Sequence, residues 1–199
     1  MKASNRYIDK LFIGLVFIES MFEDIKAIYR NDPSIKNIEF LVYPSFWAVG
    51  VHRYVSHPIN KVKIPFIPRL ISQIMRFFTG IEIHPGARIG SGLFIDHGMG
   101  TVIGETAEIG KNCVMFHNVT LGGTGKHEGK RHPTVGDNVL IGTSSILLGP
   151  LKVGNNVKIG ANSFIVNCDV PDNCTVIGCP GKIVRLNGKK VNKILKKRL

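Results

Sequence analysis

A small aliphatic residue returns at almost every sixth position between Ile83 and Ile183. A chain that presents one apolar side chain per hexad can bury the set only if it turns a corner in each hexad. Three hexads then close one triangular coil of about 18 residues, and about five coils fit into the segment. The anchors of this pattern are Ile83, Ile89, Ile95, Ile103, Ile109, Met115, Leu121, Val135, Ile141, Leu147, Val153, Ile159, Ile165, Ile177 and Ile183.

The residues between the anchors are suited to tight corners. Gly and Asn adopt positive φ more readily than other residues, and a chain that turns in each hexad needs such positions. The corner candidates are Gly86, Gly92, Asn112, Asn118, Asn138, Asn156, Asn162 and Asn173. Since no stretch with helical period separates the short segments, a doubly wound α/β fold is disfavoured and a mainly β fold is predicted.

The six-residue period is interrupted twice. Two extra residues lie between Ile95 and Ile103, and a longer excursion separates Leu121 from Val135. Residues 122–133 contain four glycines and no anchor, so we predict a loop that projects from the coils. Loops that interrupt a rigid repeat often carry function, and the two interruptions are therefore the first places to look for a site.

Residues 1–79 lack the hexad pattern and are predicted to form a small α-helical domain. Apolar residues spaced by threes and fours predict helices over residues 4–31, 45–55 and 69–78. The first should end before Pro33, and Gly80 should stop the third. A coil domain is then predicted over 80–185, and 186–199 form a basic tail that is expected to be a short helix or disordered.

Charge is concentrated near the end of this chain of 199 residues, whose formal net charge is +12. Seven Lys and Arg residues fall between Lys182 and Lys197. Such a run is either a solvated surface or an electrostatic funnel for an anionic substrate. Aromatic residues are not interleaved with it, so the pattern predicts no stacking platform for nucleic acid.

The composition also bears on location and metal binding. The longest early apolar run, Leu11 to Ile18, is too short to cross a bilayer, and no cleavage site for a signal peptide follows it. We therefore expect a cytoplasmic protein that does not bind a membrane. The cysteines lack metal-ligand spacing, and the histidines show no HxH or HxxxH pattern, so no metal is expected. His84, His117 and His127 are assigned structural roles.

Candidate chemistry lies at the first interruption. His97 follows Asp96, and a neutral imidazole beside a carboxylate is a candidate general base for an alcohol. Glu82 precedes His97 by nearly one coil, where it could hold the imidazole in one tautomer. Spacing alone leaves an alternative, in which Asp96 and His97 only close a turn.

Several strings of residues resemble the serine O-acetyltransferase family of hexapeptide-repeat acyltransferases. The resemblance is close over residues 80–185 and looser around Asp32. A hexapeptide repeat alone would indicate only an acyltransferase, and the strings together are more specific. They are Asp96–Gly100 (DHGMG), Val102–Ala107 (VIGETA), His117–Lys126 (HNVTLGGTGK), Arg131–Pro133 (RHP) and Gly178–Val184 (GCPGKIV).

The resemblance implies a left-handed parallel β-helix that forms homotrimers, with active sites between subunits. It implies acetyl-CoA as co-substrate and L-serine as acceptor, giving O-acetyl-L-serine for cysteine biosynthesis. His97 matches the base that deprotonates the serine hydroxyl, which attacks the thioester without a covalent enzyme intermediate. Glu82 stands where the family has an aspartate that orients the histidine, and it adds one methylene.

The resemblance also implies how serine is held. Asp32 and Asp96 match acidic residues that bind the amino acid. Arg131 and His132 match a pair that faces its carboxylate, for which the fork of an arginine is well suited.

Coenzyme contacts and protein partners follow from the same resemblance. Gly123, Thr143 and Ala161 match positions beside the pantetheine arm, and Lys158 would lie near the phosphates of CoA. Dimers of trimers and a complex with cysteine synthase are family properties. The short helical domain makes the first uncertain, and an end at Leu199 rather than isoleucine departs from partners of cysteine synthase.

Two other kinds of function compete with this one. A hexapeptide acetyltransferase could act on a sugar hydroxyl, but Asp32, Asp96, Arg131 and His132 suit a zwitterion better than a neutral sugar. A β-helix could also be a non-catalytic scaffold or a basic nucleic-acid binder, against which the placement of the aromatic residues argues.

Overall fold

The structure is a computed structural model that describes residues 18–125 and 128–197. Its N-terminal part is helical. The helical segments are α1 (18–31), a 3-10 turn (Glu39–Val42), α2 (Pro44–Val51), a π-helical turn (His52–Ser56), α3 (His57–Lys61) and α4 (Ile67–Thr79). No helix in the described residues is long and apolar enough to span a membrane.

The predicted helices are found with shifted ends. The first is confirmed over 18–31, and residues 4–17 lie outside the described residues. The second begins at Pro44 and continues through the π-helical turn to Lys61, beyond the predicted end. Helix α4 ends at Gly80, whose φ of 72° is in the left-handed region that a glycine adopts without strain.

Short strands make up most of the remaining described chain. They are β1 (Glu82–Ile83), β2 (Arg88–Ile89), β3 (Phe94–Ile95), β4 (Val102–Ile103), β5 (Glu108–Ile109), β6 (Val114–Met115), β7 (Thr120–Gly122), β8 (Thr134–Val135), β9 (Leu140–Ile141), β10 (Ile146–Leu148), β11 (Lys152–Val153), β12 (Lys158–Ile159), β13 (Phe164–Val166), β14 (Cys174–Ile177), β15 (Lys182–Leu186) and β16 (Lys189–Ile194).

The strands wind around three faces in turn. Sheet 1 has the order β1-β4-β7-β10-β13, sheet 2 has β2-β5-β8-β11, and sheet 3 has β3-β6-β9-β12-β14, all in parallel. Each strand from β1 to β10 therefore pairs with the strand three places later, as stacked triangular coils require, and β12 pairs with β14 because the last coil has only an isolated bridge on sheet 2. The predicted parallel β-helix is confirmed.

The anchors line the interior of the prism, with one exception. Ile103, Leu121 and Leu147 are fully buried, and equivalent residues pair in register from coil to coil. The prediction of Ile177 as an anchor is wrong, because 46% of this residue is exposed while Val176 is buried and pairs with Ile159. The last coil is one residue shorter, which its bridge between Val153 and Val170 also shows.

The corner prediction holds for the asparagines and fails for one glycine. Asn112, Asn118, Asn138, Asn156, Asn162, Asn173 and Gly92 all have positive φ. Gly86 does not have positive φ. Its lack of a side chain instead allows the backbone of the next coil to come close. A Cβ placed there would lie 3.0 Å from the carbonyl oxygen of Glu105 in the next coil.

The basic tail is neither helical nor disordered in its described part, contrary to expectation. Strand β15 turns back on β14 and pairs with β16, so an antiparallel hairpin extends sheet 3. Leu195 is buried against the core. The lysines of β16 are exposed on this edge strand, where charge opposes pairing with another chain. The domain boundaries at 79/80 and 185/186 stay predictions.

A buried ion pair attaches the helices to the first coil. Arg53, in the π-helical turn, donates hydrogen bonds to Asp24 of α1 at 3.1 and 3.2 Å. The same guanidinium donates to the carbonyl oxygens of Ile89 and Gly90. Asp24 also accepts a hydrogen bond from the backbone of Gly92 at 2.8 Å. These contacts fix α1, and the segment that follows it, against the corner after β2.

Candidate active site

The corner that follows β3 presents His97 to solvent. Its two extra residues form a tight turn, in which the Gly98 and Met99 amides donate to the Asp96 and His97 carbonyls at 2.7 Å. His97 has a φ of 58°, and 76% of its side chain is exposed. Its Nε2 atom lies 3.8 Å from Oδ1 of Asp96. Asp96 and His97 thus close a turn through their backbone, which leaves both side chains free for chemistry.

Asp32 lies beside this corner although it is distant in sequence. It follows α1, and its carboxylate accepts hydrogen bonds from Ser34 N and Oγ at 2.8 and 2.6 Å and from the hydroxyl of Tyr43. The hydrogen bonds from Ser34 and Tyr43 lower the pKa of Asp32, and the nearby His97 lowers it further. The structure therefore brings Asp32, Asp96 and His97 together and adds Tyr43 beside them.

Glu82 is engaged elsewhere. Its carboxylate oxygens accept hydrogen bonds from Arg69 and Arg76, both at 2.8 Å, and from Gln73 at 3.3 Å. All three donors are on α4. The predicted hydrogen bond between Glu82 and His97 is not formed among the described residues. The carboxylate nearest to the imidazole in this structure belongs to Asp96.

Arg131 and His132 lie at a different corner, between sheet 1 and sheet 2, where the predicted loop rejoins the coils. The Arg131 guanidinium is hydrogen-bonded to Glu105, and this bond lowers the pKa of the Glu105 carboxyl. The residue His132 is only 8% exposed. Burial and the neighbouring Arg131 charge lower the pKa of His132, which favours a neutral ring.

The predicted substrate residues thus fall into two groups within one chain. His97 lies on the edge of the prism between sheet 3 and sheet 1, which we call the histidine edge. Arg131 lies on the edge between sheet 1 and sheet 2, which we call the loop edge. In the described part of the chain, no hydrogen bond or ion pair joins Asp32, Asp96 or His97 to Arg131 or His132.

The histidine edge continues along the coils through predicted coenzyme positions. The ring of His117 meets that of His97 edge to face, with centroids 6.1 Å apart. One coil further, Thr143 Oγ1 lies 2.7 Å from His117 Nε2. Ala161 is exposed at the next corner, and Lys158 is exposed on β12 just before it. Thr143, Lys158 and Ala161 therefore form one row with His97.

Gly123, the fourth predicted coenzyme residue, is not in this row. It lies on the loop edge, where a Cβ would come 3.2 Å from the carbonyl oxygen of Arg131. Among residues 18–125 and 128–197, no group of three or more His, Cys, Asp or Glu side chains could hold a metal ion.

Comparisons with known proteins show which family the chain belongs to. The model of the bacterial transferase hexapeptide (six repeats) matches residues 132–167. A serine acetyltransferase of Bacillus subtilis is 52% identical over 182 residues, which cover 90% of this chain and 83% of that relative. The chain belongs to the serine acetyltransferase family.

Solved serine acetyltransferases share the fold. The enzyme of Neisseria gonorrhoeae superposes with a TM-score of 0.83 at 38% identity, covering 93% of this chain and 70% of that chain. Its complex with serine gives a TM-score of 0.82 at 37% identity, covering 89% and 72%. The resemblance found in the sequence is therefore confirmed, as is the left-handed hexapeptide β-helix, and the chain is an acyltransferase.

Three residues that contact predicted site residues received no role in binding or catalysis from the sequence. Tyr43 has no predicted role, and its hydroxyl donates a hydrogen bond to Asp32. His117 is predicted to be structural, and its ring meets that of His97 edge to face. Thr106 received no assignment, and it contacts the imidazole of His132 at 2.9 Å. The strings that carried the resemblance contain His117 and Thr106, so membership in these strings was the available signal.

Proposed function

We propose that this chain transfers the acetyl group of acetyl-CoA to the hydroxyl of L-serine, with His97 as general base. The observation that carries the proposal is the division of charge between the two edges. Carboxylates flank an accessible imidazole on the histidine edge, and Arg131 with His132 lies on the loop edge. This arrangement suits an amino acid, whose ammonium and carboxylate need opposite partners on either side of the reacting hydroxyl.

The reaction needs one proton carrier and no nucleophile from the protein. His97 Nε2 takes the hydroxyl proton of serine while the oxygen attacks the carbonyl carbon of the thioester. The carbon–sulfur bond then breaks, and the imidazolium returns the proton to the CoA thiolate. Products are O-acetyl-L-serine and CoA.

The two edges can bind one serine only if different subunits supply them. Asp32 and Asp96 of one subunit would hold the ammonium group, and Arg131 and His132 of a neighbour would hold the carboxylate. A cyclic trimer repeats such a contact three times, with each chain giving both edges. Glu105, which now bonds Arg131, would share that guanidinium with the substrate carboxylate or yield it.

Acetyl-CoA would lie along the groove between two subunits. Thr143 and Ala161 would meet its pantetheine arm from the histidine edge, with Lys158 near its phosphates. Gly123 would face the arm from the loop edge of the neighbour, which agrees with its place beside Arg131.

The carboxylate that orients His97 has two candidates. Glu82 is the predicted one, and it must leave two arginines to reach the ring. Asp96 Oδ1 lies 3.8 Å from Nε2, the atom that takes the proton of serine, so Asp96 would orient the ring only with the imidazole turned over. If Glu82 orients the ring, Glu82→Gln lowers kcat by a factor on the order of 10, and Asp96→Asn mainly raises the KM for serine. The reverse pattern would assign the role to Asp96.

Complementation between variants tests the base and the shared site together. His97→Gln should lower CoA release with serine by a factor on the order of 10² to 10⁴, and Arg131→Leu should raise the KM for serine strongly. When both variants are co-expressed with different tags, one of the three sites in each mixed trimer regains both intact edges, which is about a quarter of all sites if the chains assemble at random. Activity should therefore return in the fraction that carries both tags.

Three results would contradict the proposal. Mixed trimers that stay inactive would show that one chain supplies the whole site. Near-normal turnover by the His97→Gln variant would exclude His97 as the general base. A wild-type enzyme that releases CoA with sugars and not with serine would exclude serine as the acceptor.

A further inference from the structure

The imidazole of His132 is held through its Nδ1 atom by one residue, Thr106. The backbone nitrogen of Thr106 lies 3.2 Å from Nδ1, and Thr106 Oγ1 lies 2.9 Å from it. The two residues come from successive coils, and 26 residues separate them in sequence. This contact is therefore made by the stacking of the coils.

The direction of these hydrogen bonds follows from the donors. A backbone N–H can only donate, so Nδ1 must be the acceptor of the Thr106 amide. The Thr106 hydroxyl oxygen accepts from the amides of Arg131 and His132 at 3.0 and 3.1 Å, which uses both of its lone pairs. Its own proton is left for Nδ1. An Nδ1 that accepts twice carries no proton, so a neutral ring must carry its proton on Nε2.

Two glycines flank the Nε2 side of the ring. A Cβ placed at Gly104 would overlap Cδ2 and Nε2 of His132, so only glycine fits beneath this side. A Cβ placed at Gly123 would lie 3.6 Å from Nε2. The N–H on Nε2 therefore lies between two backbones, next to the Arg131 side chain that reaches Glu105.

The surroundings disfavour a second proton on the ring. Protonated Nδ1 would face the Thr106 N–H, donor against donor. The charged or titratable groups nearby are Arg131, Glu105, His84 and Lys130, and burial together with Arg131 lowers the pKa of His132. The ring is thus neutral at pH 7, and its remaining function is to donate one hydrogen bond.

We infer that Thr106 is a positioning residue, which fixes His132 in the tautomer whose Nε2–H donates a hydrogen bond to the carboxylate of the bound amino acid. The identity of that acceptor rests on the proposed function, whereas the tautomer follows from the contacts of this chain alone. Arg131 then neutralises the charge of the carboxylate, and the hydrogen bond from His132 fixes its orientation.

Nitrogen NMR of the wild-type enzyme with 15N-labelled histidine tests the tautomer directly. Near pH 7.5 without substrate, the His132 Nδ1 signal should be that of an unprotonated ring nitrogen and the Nε2 signal that of an N–H. The His132→Asn variant identifies these signals by their loss. A protonated Nδ1, or an even mixture of tautomers, would overturn the inference whatever the enzyme acetylates.

Kinetics of two matched variants test the consequence. Thr106→Val removes the hydroxyl and keeps the shape, so the KM for serine should rise by a factor of about ten, the worth of one hydrogen bond, with little change in the KM for acetyl-CoA. Thr106→Ser restores the hydroxyl and should restore both the KM and the Nδ1 signal. If Thr106→Ser behaves like Thr106→Val in both readouts, or if Thr106→Val leaves both the Nδ1 signal and the KM for serine unchanged, the inference is wrong. An enzyme that shows the predicted tautomer but ignores serine would contradict only the proposed function.

Discussion

Acidification should weaken the attachment of the helices to the β-helix through one buried histidine, His52. It lies in the π-helical turn, is 4% exposed, and is surrounded by Ala48, Val51 and Ile81 among other apolar residues. Its Nε2 atom lies 3.2 Å from the carbonyl oxygen of Ala87, which accepts the proton of the ring. Nδ1 is buried without a hydrogen-bond partner among the described residues. An N–H formed by protonation of Nδ1 would have no hydrogen-bond acceptor among the described residues.

The magnitude follows from the pKa of His52, which burial, followed by the nearby His57, lowers from 6.5 to about 3. Since the folded state binds this proton less readily, the unfolded state takes it up first as the pH falls. The stabilising contribution of neutral His52 is thus complete above about pH 6.5 and is lost progressively as the pH falls toward 3. At pH 5 the loss is about 2 kcal/mol, from 1.36 kcal/mol per pH unit over about 1.5 units.

Urea unfolding at about pH 8 and about pH 5 measures this loss. His52→Gln keeps a donor for Ala87 and does not titrate, so its stability should fall less between the two pH values than that of the wild type. The difference between the two proteins should change by about 2 kcal/mol. Measurement at pH 8 is the control, because both side chains are neutral there and only packing differs. If both proteins lose the same stability, His52 is protonated as easily in the folded state as in the unfolded chain, and the reasoning fails.

Two further predictions concern stability and use the same urea assay. Val176→Ala should lower the free energy of unfolding by about 1–3 kcal/mol because it opens a cavity in the last coil. Ile177→Ala should lower it by less than about 0.5 kcal/mol. Equal losses would show that Ile177 is an anchor after all. Asp24→Asn should cost about 3–5 kcal/mol because it leaves the Arg53 guanidinium buried without its counter-charge. Glu23→Gln, in an exposed pair with Lys26, is the matched control and should leave the unfolding midpoint close to that of the wild type.

The core of the β-helix could be predicted from the sequence because each coil repeats the same local problem. An anchor every six residues and an asparagine at the corner are local signals, and they suffice as long as the step is constant. They failed at the last coil, where the chain offers Val176 and Ile177 side by side. Val176 is the buried one because only five residues, and not six, separate the interior positions Ile165 and Val170. The six-residue period does not predict this shorter spacing.

The hairpin of β15 and β16 escaped prediction for a related reason. A run of lysines is typical of a solvated surface, and this strand is indeed solvated on its exposed side. What orders the backbone is antiparallel pairing with β15, which itself pairs with the last parallel strand. The strand pairing is a property of the folded sheet edge, and the composition of the segment does not show it.

The residues of the candidate site also differ in how far the sequence alone could predict them. His97 could be found because it marks a slip in the period, and Asp96 is its neighbour in sequence. Tyr43 and Thr106 act on Asp32 and His132 through contacts that form only when separate segments meet. No local pattern encodes such contacts. Their side chains therefore resemble ordinary core or corner residues until the coils are stacked.

Glu82 shows how spacing can indicate the right neighbourhood and still leave the partner open. Its amide donates to the carbonyl oxygen of Thr101 at 2.9 Å, so its backbone does lie beside the corner that carries His97. The side chain, however, has two arginines of α4 within 2.8 Å, and each charge-assisted hydrogen bond is stronger than one to a neutral imidazole. Spacing counts residues and takes no account of competing cations. If Glu82 orients His97 as proposed, its carboxylate must turn away from Arg69 and Arg76, and helix α4 would then influence the proposed reaction.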